Sequence, residues 1–332
     1  MERAALVTGA AGEMGHLLIP TLRQRGWRVA ALDLAALPEE MKAACAESVE
    51  ASILDVEAIR GLVRRHKPAL VLHLAALLSR KSEAEPELAH RVNVDGTLGL
   101  LRLVQEELPA GVRLLFPSSI AIYGLPDAET KRRQGAVRET EWTVPAGMYG
   151  CNKLYCELLG AYTTRRSGGK LDFRAIRFPG LISSDTLPSG GTTDYAPEMI
   201  HAAAQGKPYT CFVADTARLP FMTMPDAVEA AVLLAEADPA RLSTRIYNIK
   251  GFSASAGDFR AEVLRHYPEA RIDFRVDPAR QQIVDSWPED VDDALARRDW
   301  KLTPRHGLTE AFRDYLVPAL RERYRAGRLT PH

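Results

Sequence analysis

Arg3-Ala4-Ala5-Leu6-Val7-Thr8-Gly9-Ala10-Ala11-Gly12-Glu13-Met14-Gly15 is the stretch that decides the fold. Arg3 to Thr8 is a short apolar run that reads as a buried strand, and it turns directly into Gly9, Gly12 and Gly15 before the helical pattern Leu17, Leu18, Leu22. Strand, glycine loop and helix in that order suit a pyrophosphate. Glycines let the backbone turn tightly and approach closely, while the free amides and dipole of the helix N-terminus hold negative charge. A glycine cluster alone is equally an ordinary tight turn, so its context has to decide.

The context supports the phosphate turn. Gly26 closes the first helix, Trp27 to Leu32 reads as a second strand, and Asp33 ends it. A carboxylate about 20 residues beyond the loop grips the ribose hydroxyls of NAD and repels the 2′-phosphate of NADP. The alternative for Asp33 is a cap on the turn before Leu34. A helix over Glu39 to Ala46, a strand over Val49 to Ile53 and a helix over Val56 to His66 capped by Asp55 come next. Ala69 to Leu74 is core strand, and the small residues Ala75 and Ala76 after it let a flat cofactor lie on the strand ends. Leu88 to Leu108 reads as a long amphipathic helix carrying Asn93 between Val92 and Val94, where an amide either ties helix to strand or organises water.

Val112 to Phe116 is a fifth strand with Pro117-Ser118-Ser119-Ile120 at its carboxyl end, the side on which open parallel sheets bind ligands. Leu171 to Arg177 makes a sixth strand, ended by Phe178-Pro179-Gly180. Strands and helices alternating in this way give an α/β fold, a doubly wound parallel sheet of Rossmann type. Residues 1–180, with about 219–250, form the NAD-binding part; about 181–218 and 251–332 form a smaller C-terminal substrate-binding lobe. In that lobe Tyr195 to Gln205 is a helix that Asp194 or Thr193 caps, while Arg245 to Ile249, in the NAD-binding part, is a strand able to return to the main sheet.

Between the fifth and sixth strands, Met148-Tyr149-Gly150-Cys151-Asn152-Lys153 opens a helical pattern with a phenol and an ammonium four residues apart, hence on one face. Lys153 beneath Tyr149 favours the phenolate and draws its reference pKa of about 10 downwards, which makes a general base. A packed ring and a solvated charge are the other reading of that spacing. Cys151 in the same stretch reads as a small buried side chain.

Totals exclude several functions. With 43 basic and 43 acidic residues the chain has no global field for nucleic acid or an anionic membrane, and no apolar run reaches the length of a membrane span. The runs Lys131-Arg132-Arg133 and Arg165-Arg166 read as a solvated loop and a helix end. Four cysteines without Cys-x-x-Cys spacing and eight scattered histidines predict neither disulfides nor a metal site. Met1 runs almost at once into the first strand, which leaves no secretion signal, so a cytoplasmic protein is expected.

With the glycine loop, Asp33, Asn93, Ser118-Ser119, Tyr149 and Lys153 in order, the chain resembles the extended short-chain dehydrogenase/reductase superfamily. Pro188 to Ala196, Tyr209 to Val213, Leu219 to Ala227 and Asp285-Ser286-Trp287-Pro288 resemble, within it, the L-threonine 3-dehydrogenases of the short-chain type. That resemblance implies oxidation of the L-threonine side-chain hydroxyl by NAD to 2-amino-3-oxobutyrate. It implies catalytic roles for Ser119, Tyr149 and Lys153, with Ser118 as the other candidate serine. It places NAD against Gly9, Gly12, Glu13, Met14, Gly15 and Asp33, then Ser52, Ile53, Leu74, Ala75, Ala76 and Asn93, and finally Tyr149, Lys153 and Pro179. Ser52 stands where the superfamily often has an acidic residue, so the Ile53 backbone is expected to serve the adenine. Ser79, Ser118, Ser119, Tyr149, Gly180 and Thr192 or Thr193 match positions facing the amino acid, and a homodimer is implied. Lys81 beside Arg80 either attracts the substrate carboxylate or faces solvent. The runner-up is an NAD-dependent epimerase or dehydrogenase acting on a nucleotide sugar or sugar acid.

Overall fold

Seven strands lie parallel in the main sheet of the computed structural model, which describes residues 3–187 and 191–325. In chain order they are β1 (Arg3–Thr8), β2 (Trp27–Asp33), β3 (Glu47–Glu50), β4 (Leu70–His73), β5 (Val112–Ser119), β6 (Leu171–Phe178) and, later in the chain, β9 (Ile246–Asn248). They are arranged β9-β6-β5-β4-β1-β2-β3. The order reverses between β1 and β4, the place where a doubly wound sheet opens a crevice at its carboxyl ends. Parallel strands covered on both faces need near-continuous apolar sequence, and β1 and β4 are buried along almost their whole length. Helices α1 (Glu13–Gln24) and α6 (Met224–Glu236) cover one face through Leu18, Leu22, Ala231 and Leu234. Helices α2 (Val56–His66) and α3 (Gly96–Glu107) cover the other through Ile59, Leu62, Leu100 and Val104.

A second core surrounds Tyr195, Phe221, Phe259 and Phe312, with the Phe221 and Phe259 rings edge to face at 4.8 Å. It rests on a three-stranded sheet of β7 (Gly180–Ile182), β8 (Arg218–Thr223) and β10 (Phe252–Ser255), β8 in the middle. Sequence does not mark β8 as a strand because Pro220 lies within it. The proline is tolerated because the β7 ladder begins only at Phe221, so at Pro220 the strand pairs on the β10 side alone.

Several elements depart from the sequence reading. The third strand covers Glu47–Glu50 rather than 49–53, since its register with β2 ends at Asp33↔Glu50 and leaves Ser52 and Ile53 beyond the sheet edge. β5 continues through Pro117, Ser118 and Ser119, because β6 pairs with it as far as Ser119↔Phe178. The expected long helix enters α3 through a π-helical turn at His90–Asp95, which contains Asn93. Lys131 is buried on a short helix, Ala128–Gln134, and donates to Val284 O at 2.9 Å, so that run is not a solvated loop. Cys151 is exposed, not buried: on α4 (Met148–Arg166) the inner face is taken by Gly150, Lys153, Glu157 and Gly160, which turns residue 151 outward. All four cysteines are free. Among the described residues no helix is long and apolar enough to cross a membrane, and no cluster of potential metal ligands occurs. Pro188, Ser189 and Gly190 of the loop motif, and the tail after Arg325, lie outside the described residues.

Candidate active site

The phosphate turn forms the floor of the crevice. Gly9 has φ +71°, and a Cβ there would stand 2.4 Å from Ala75 N, so only glycine lets β1 pass so close to the loop after β4. The first-turn amides of Glu13 and Met14 have no helical carbonyl within reach and point from the N-terminus of α1. Asp33 holds this turn: its Oδ2 accepts from Ala11 N at 2.9 Å and its Oδ1 from Ala35 N at 2.9 Å. Both sequence readings of Asp33 are therefore compatible, because each carboxylate oxygen keeps a second acceptor site for a ligand hydroxyl.

Two cavities in series follow the carboxyl ends of the strands and share Leu74 and Ala76. The first, about 230 Å³, is lined by Gly9, Gly12, Asp33, Ser52, Ile53, Ala75 and Ala76 among others. The second, about 210 Å³, gathers Glu13, Met14, Ser79, Ser118, Ser119, Tyr149, Lys153, Pro179, Gly180, Thr192 and Thr193. Sequence residues from six separate segments thus meet in one cleft. Gly15 and Asn93 stand behind its surface. A Cβ on Gly15 would meet Ala10 O at 2.0 Å, and the Asn93 side chain bonds the Leu77 backbone through Leu77 N (2.7 Å) and Leu77 O (3.1 Å) and reaches Asn152 at 3.3 Å. Of its two readings, the tie between helix and strand end is the observed one.

Tyr149 and Lys153 are brought to the cleft by α4, whose first amide is capped by the Glu83 carboxylate at 2.6 Å from Met148 N. Close approach of this helix to the end of β5 depends on Gly150, where a Cβ would lie 2.0 Å from Ala121 O. Lys153 is 4% exposed and donates to Pro117 O at 2.6 Å, with its Nζ 4.5 Å from the Phe116 ring centroid and 5.5 Å from that of Tyr149. Burial lowers the ammonium to about 8 against the favourable fields of Cys156 and Glu157. Tyr149 departs from expectation: burial pushes its phenol above the ordinary value rather than below it. The spacing reported the neighbour correctly and could not report the cost of taking a phenolate out of water.

Ser119 Oγ accepts from Ala121 N at 3.1 Å, which leaves its hydroxyl hydrogen to donate into the cavity. Ser118 is 3% exposed, and its Oγ is without a partner among the described residues. Ser79 Oγ and Thr192 Oγ1 meet at 3.1 Å, joining the two sides of the chamber. Lys81 pairs with Glu85 at the surface and does not line it. Asp194 stands at the N-cap of α5 (Tyr195–Ala204) without a side-chain cap hydrogen bond. Its backbone is already helical, so the carboxylate turns back to Gly191 N at 2.6 Å and faces the cavity. Trp287 closes the far wall from a distant segment, a role that its sequence position does not signal.

The pattern of the NAD dependent epimerase/dehydratase family matches residues 5–249, spanning the sheet, the glycine loop and the Tyr149–Lys153 helix. The chain belongs to this family. It is an epimerase/dehydratase-family protein with NAD as cofactor, and an NAD-dependent oxidoreductase. Within the family it is similar to "L-threonine 3-dehydrogenase, mitochondrial" of Bos taurus, 36% identical over 90% of this chain and 78% of the relative. A solved "Monomeric L-threonine 3-dehydrogenase from metagenome database" superposes with a TM-score of 0.87 at 33% identity, covering 96% of this chain and 99% of that one. The "L-Threonine dehydrogenase from Cupriavidus necator" in its holo form gives 0.85 at 33% identity, over 95% and 99%. The residues of this family member fit the cofactor: the uncapped amides of Glu13 and Met14 suit a pyrophosphate, and the Asp33 carboxylate stands one strand away.

Proposed function

We propose that this protein oxidises the side-chain hydroxyl of L-threonine with NAD, giving 2-amino-3-oxobutyrate. The observation that carries the reading is a single cleft whose phosphate turn leads into a small chamber where Ser118, Ser119, Tyr149 and the Ser79–Thr192 pair converge. At about 210 Å³ the chamber lies below the roughly 300–1,000 Å³ of sites for drug-sized ligands, which suits an amino acid better than a nucleotide sugar. NAD, when bound, supplies the acceptor for the hydride that leaves C3 with its electron pair. Gly9, Gly12 and the amides of Glu13 and Met14 hold the pyrophosphate, Asp33 the ribose, Ser52 and Ile53 the adenine end, and Pro179 and Gly180 the nicotinamide end.

Tyr149 Oη takes the hydroxyl proton as the C3–H bond breaks, while the Ser119 hydroxyl donates to the same substrate oxygen. Because burial opposes the phenolate, that proton leaves with help from the N-terminus of α4 and from Lys153, whose Nζ lies 5.5 Å from the Tyr149 ring centroid. The sign follows directly. Base function grows as Tyr149 ionises, and the raised pKa places that limb on the alkaline side, so kcat for oxidation should climb from neutral pH upwards. A flat profile between pH 7 and about 10 would remove the phenolate step.

Asp33→Ala should raise the KM for NAD by ~10–100-fold, the range of hydrogen bonds to a charged group, and relax rejection of NADP. An unchanged NAD/NADP ratio in steady-state kinetics would count against the assignment. The same reading gives residues 1–180 and about 219–250 to the cofactor, and about 181–218 and 251–332 to the substrate. Tyr155, Leu158 and Tyr162 make an exposed apolar stripe with Cys151 on the outer face of α4, which supports a homodimer through that helix. Four free cysteines support a cytoplasmic location. The function is tested by following NAD reduction with L-threonine beside D-threonine, L-serine, 3-hydroxybutyrate and a UDP-sugar. Turnover of L-threonine is expected; turnover of the UDP-sugar alone would overturn the reading.

A further inference from the structure

Two carboxyl groups face the substrate chamber without a part in the chemistry above. Glu13 opens α1, so its backbone belongs to the phosphate turn while its half-buried side chain lines the chamber. Asp194 lines the same chamber from the opposite lobe, held by Gly191 N rather than spent on capping α5. The two are near enough to interact. Burial first, then the field of Asp194, raise the Glu13 carboxyl to about 7, against the nearby Thr186 side chain.

Acidic side chains at a cavity wall do not alone define a site, but Ser118 points independently to a ligand. Ser118 is 3% exposed and lines this chamber, and its hydroxyl has no partner among the described residues. A buried hydroxyl left unpaired is costly, and native proteins keep one where another group completes it. The chamber's only lysine or arginine among the described lining residues is Lys153, already donating to Pro117 O. A group offered to Glu13 and Asp194 must therefore carry its own positive charge.

We infer that Glu13 and Asp194 bind the α-ammonium group of the substrate, with Ser118 accepting one of its hydrogens, and so select 3-hydroxy amino acids over 3-hydroxy acids. The inference rests on the L-threonine reading and adds the basis of its specificity. In a 3-hydroxy amino acid the ammonium-bearing carbon adjoins the carbon that is oxidised. A substrate whose hydroxyl meets Tyr149 and Ser119 thus carries its ammonium within the same chamber, while the Ser79–Thr192 hydroxyls remain to meet the carboxylate. The same two carboxyl groups repel a diphosphate, which is discrimination by an unfavourable contact as well as by a favourable one.

The test uses Glu13→Gln and Asp194→Asn, each nearly isosteric. KM for L-threonine should rise ~10–100-fold in each, the range of one hydrogen bond to a charged group. NAD affinity, titrated on the same preparations by protein fluorescence, should stay the same or tighten, since a negative charge near the pyrophosphate site is removed in Glu13→Gln. The inhibition constant of 3-hydroxybutyrate, which lacks the ammonium group, should not weaken. An unchanged KM for L-threonine, a parallel loss for 3-hydroxybutyrate, or a loss confined to NAD would overturn the inference. If Asp194→Asn fails to fold, Glu13→Gln decides alone. Wild-type protein inert towards L-threonine would overturn both the reading and the inference, whereas active wild type with unaffected variants would overturn only the latter.

Discussion

Tyr149→Phe is expected to lower turnover by ~10²–10⁴-fold, the contribution of a positioned general acid or base, while NAD still binds. The substitution removes one oxygen and leaves the ring against α4 and Lys153, so the helix cap from Glu83 and the Lys153–Pro117 contact persist. The alkaline limb of the pH profile should vanish with the activity, because the group that titrates is gone. Near-normal turnover in Tyr149→Phe would mean that another group, Ser118 or Ser119 included, takes the proton. Single-turnover measurements with NAD and substrate at saturation distinguish a slowed chemical step from weakened binding.

The second large effect is on stability. Arg177, at the end of β6, forms a two-pronged ion pair with Glu157 on α4 at 2.9 and 2.7 Å, and also donates to Tyr123 Oη at 2.9 Å and Glu139 O at 2.6 Å. The two side chains are only 4% and 1% exposed. Arg177→Met leaves the Glu157 carboxylate buried without its counter-charge, and such a loss costs ~3–5 kcal/mol. The double variant Arg177→Met/Glu157→Leu should recover most of it, since the desolvation of both charges is then removed. Urea unfolding of the three proteins checks this, and a single variant as stable as wild type would show that water reaches Glu157. The bridge also fixes α4 against β6 one helical turn beyond Lys153, so the destabilised variant should lose activity together with stability.

What was legible in the sequence was local. The glycine loop, Asp33, the serines after the fifth strand and the Tyr149–Lys153 spacing each declare themselves within a strand–loop–helix context, and Leu74, Ala75 and Ala76 follow from where a strand ends. What was not legible depends on how distant segments meet. Asp194 looks like a helix cap until the backbone conformation turns its carboxylate to Gly191. The direction of the Tyr149 shift is set by burial, not by the lysine four residues on. Cys151 follows from the helix period only once the inner face is known, and Trp287 reaches the chamber from a separate part of the chain. Asn93 stands out in the sequence as an amide between two valines, but its partners at Leu77 and Asn152 needed the fold.

The central claim is that hydride leaves the hydroxyl-bearing carbon of L-threonine. The most direct measurement is the fate of deuterium from L-threonine labelled at C3, read by mass spectrometry of the reduced cofactor. One deuterium per NADH formed is the expected result, in wild type and in the residual turnover of Tyr149→Phe alike. Unlabelled NADH, or no NADH from L-threonine at all, would contradict it.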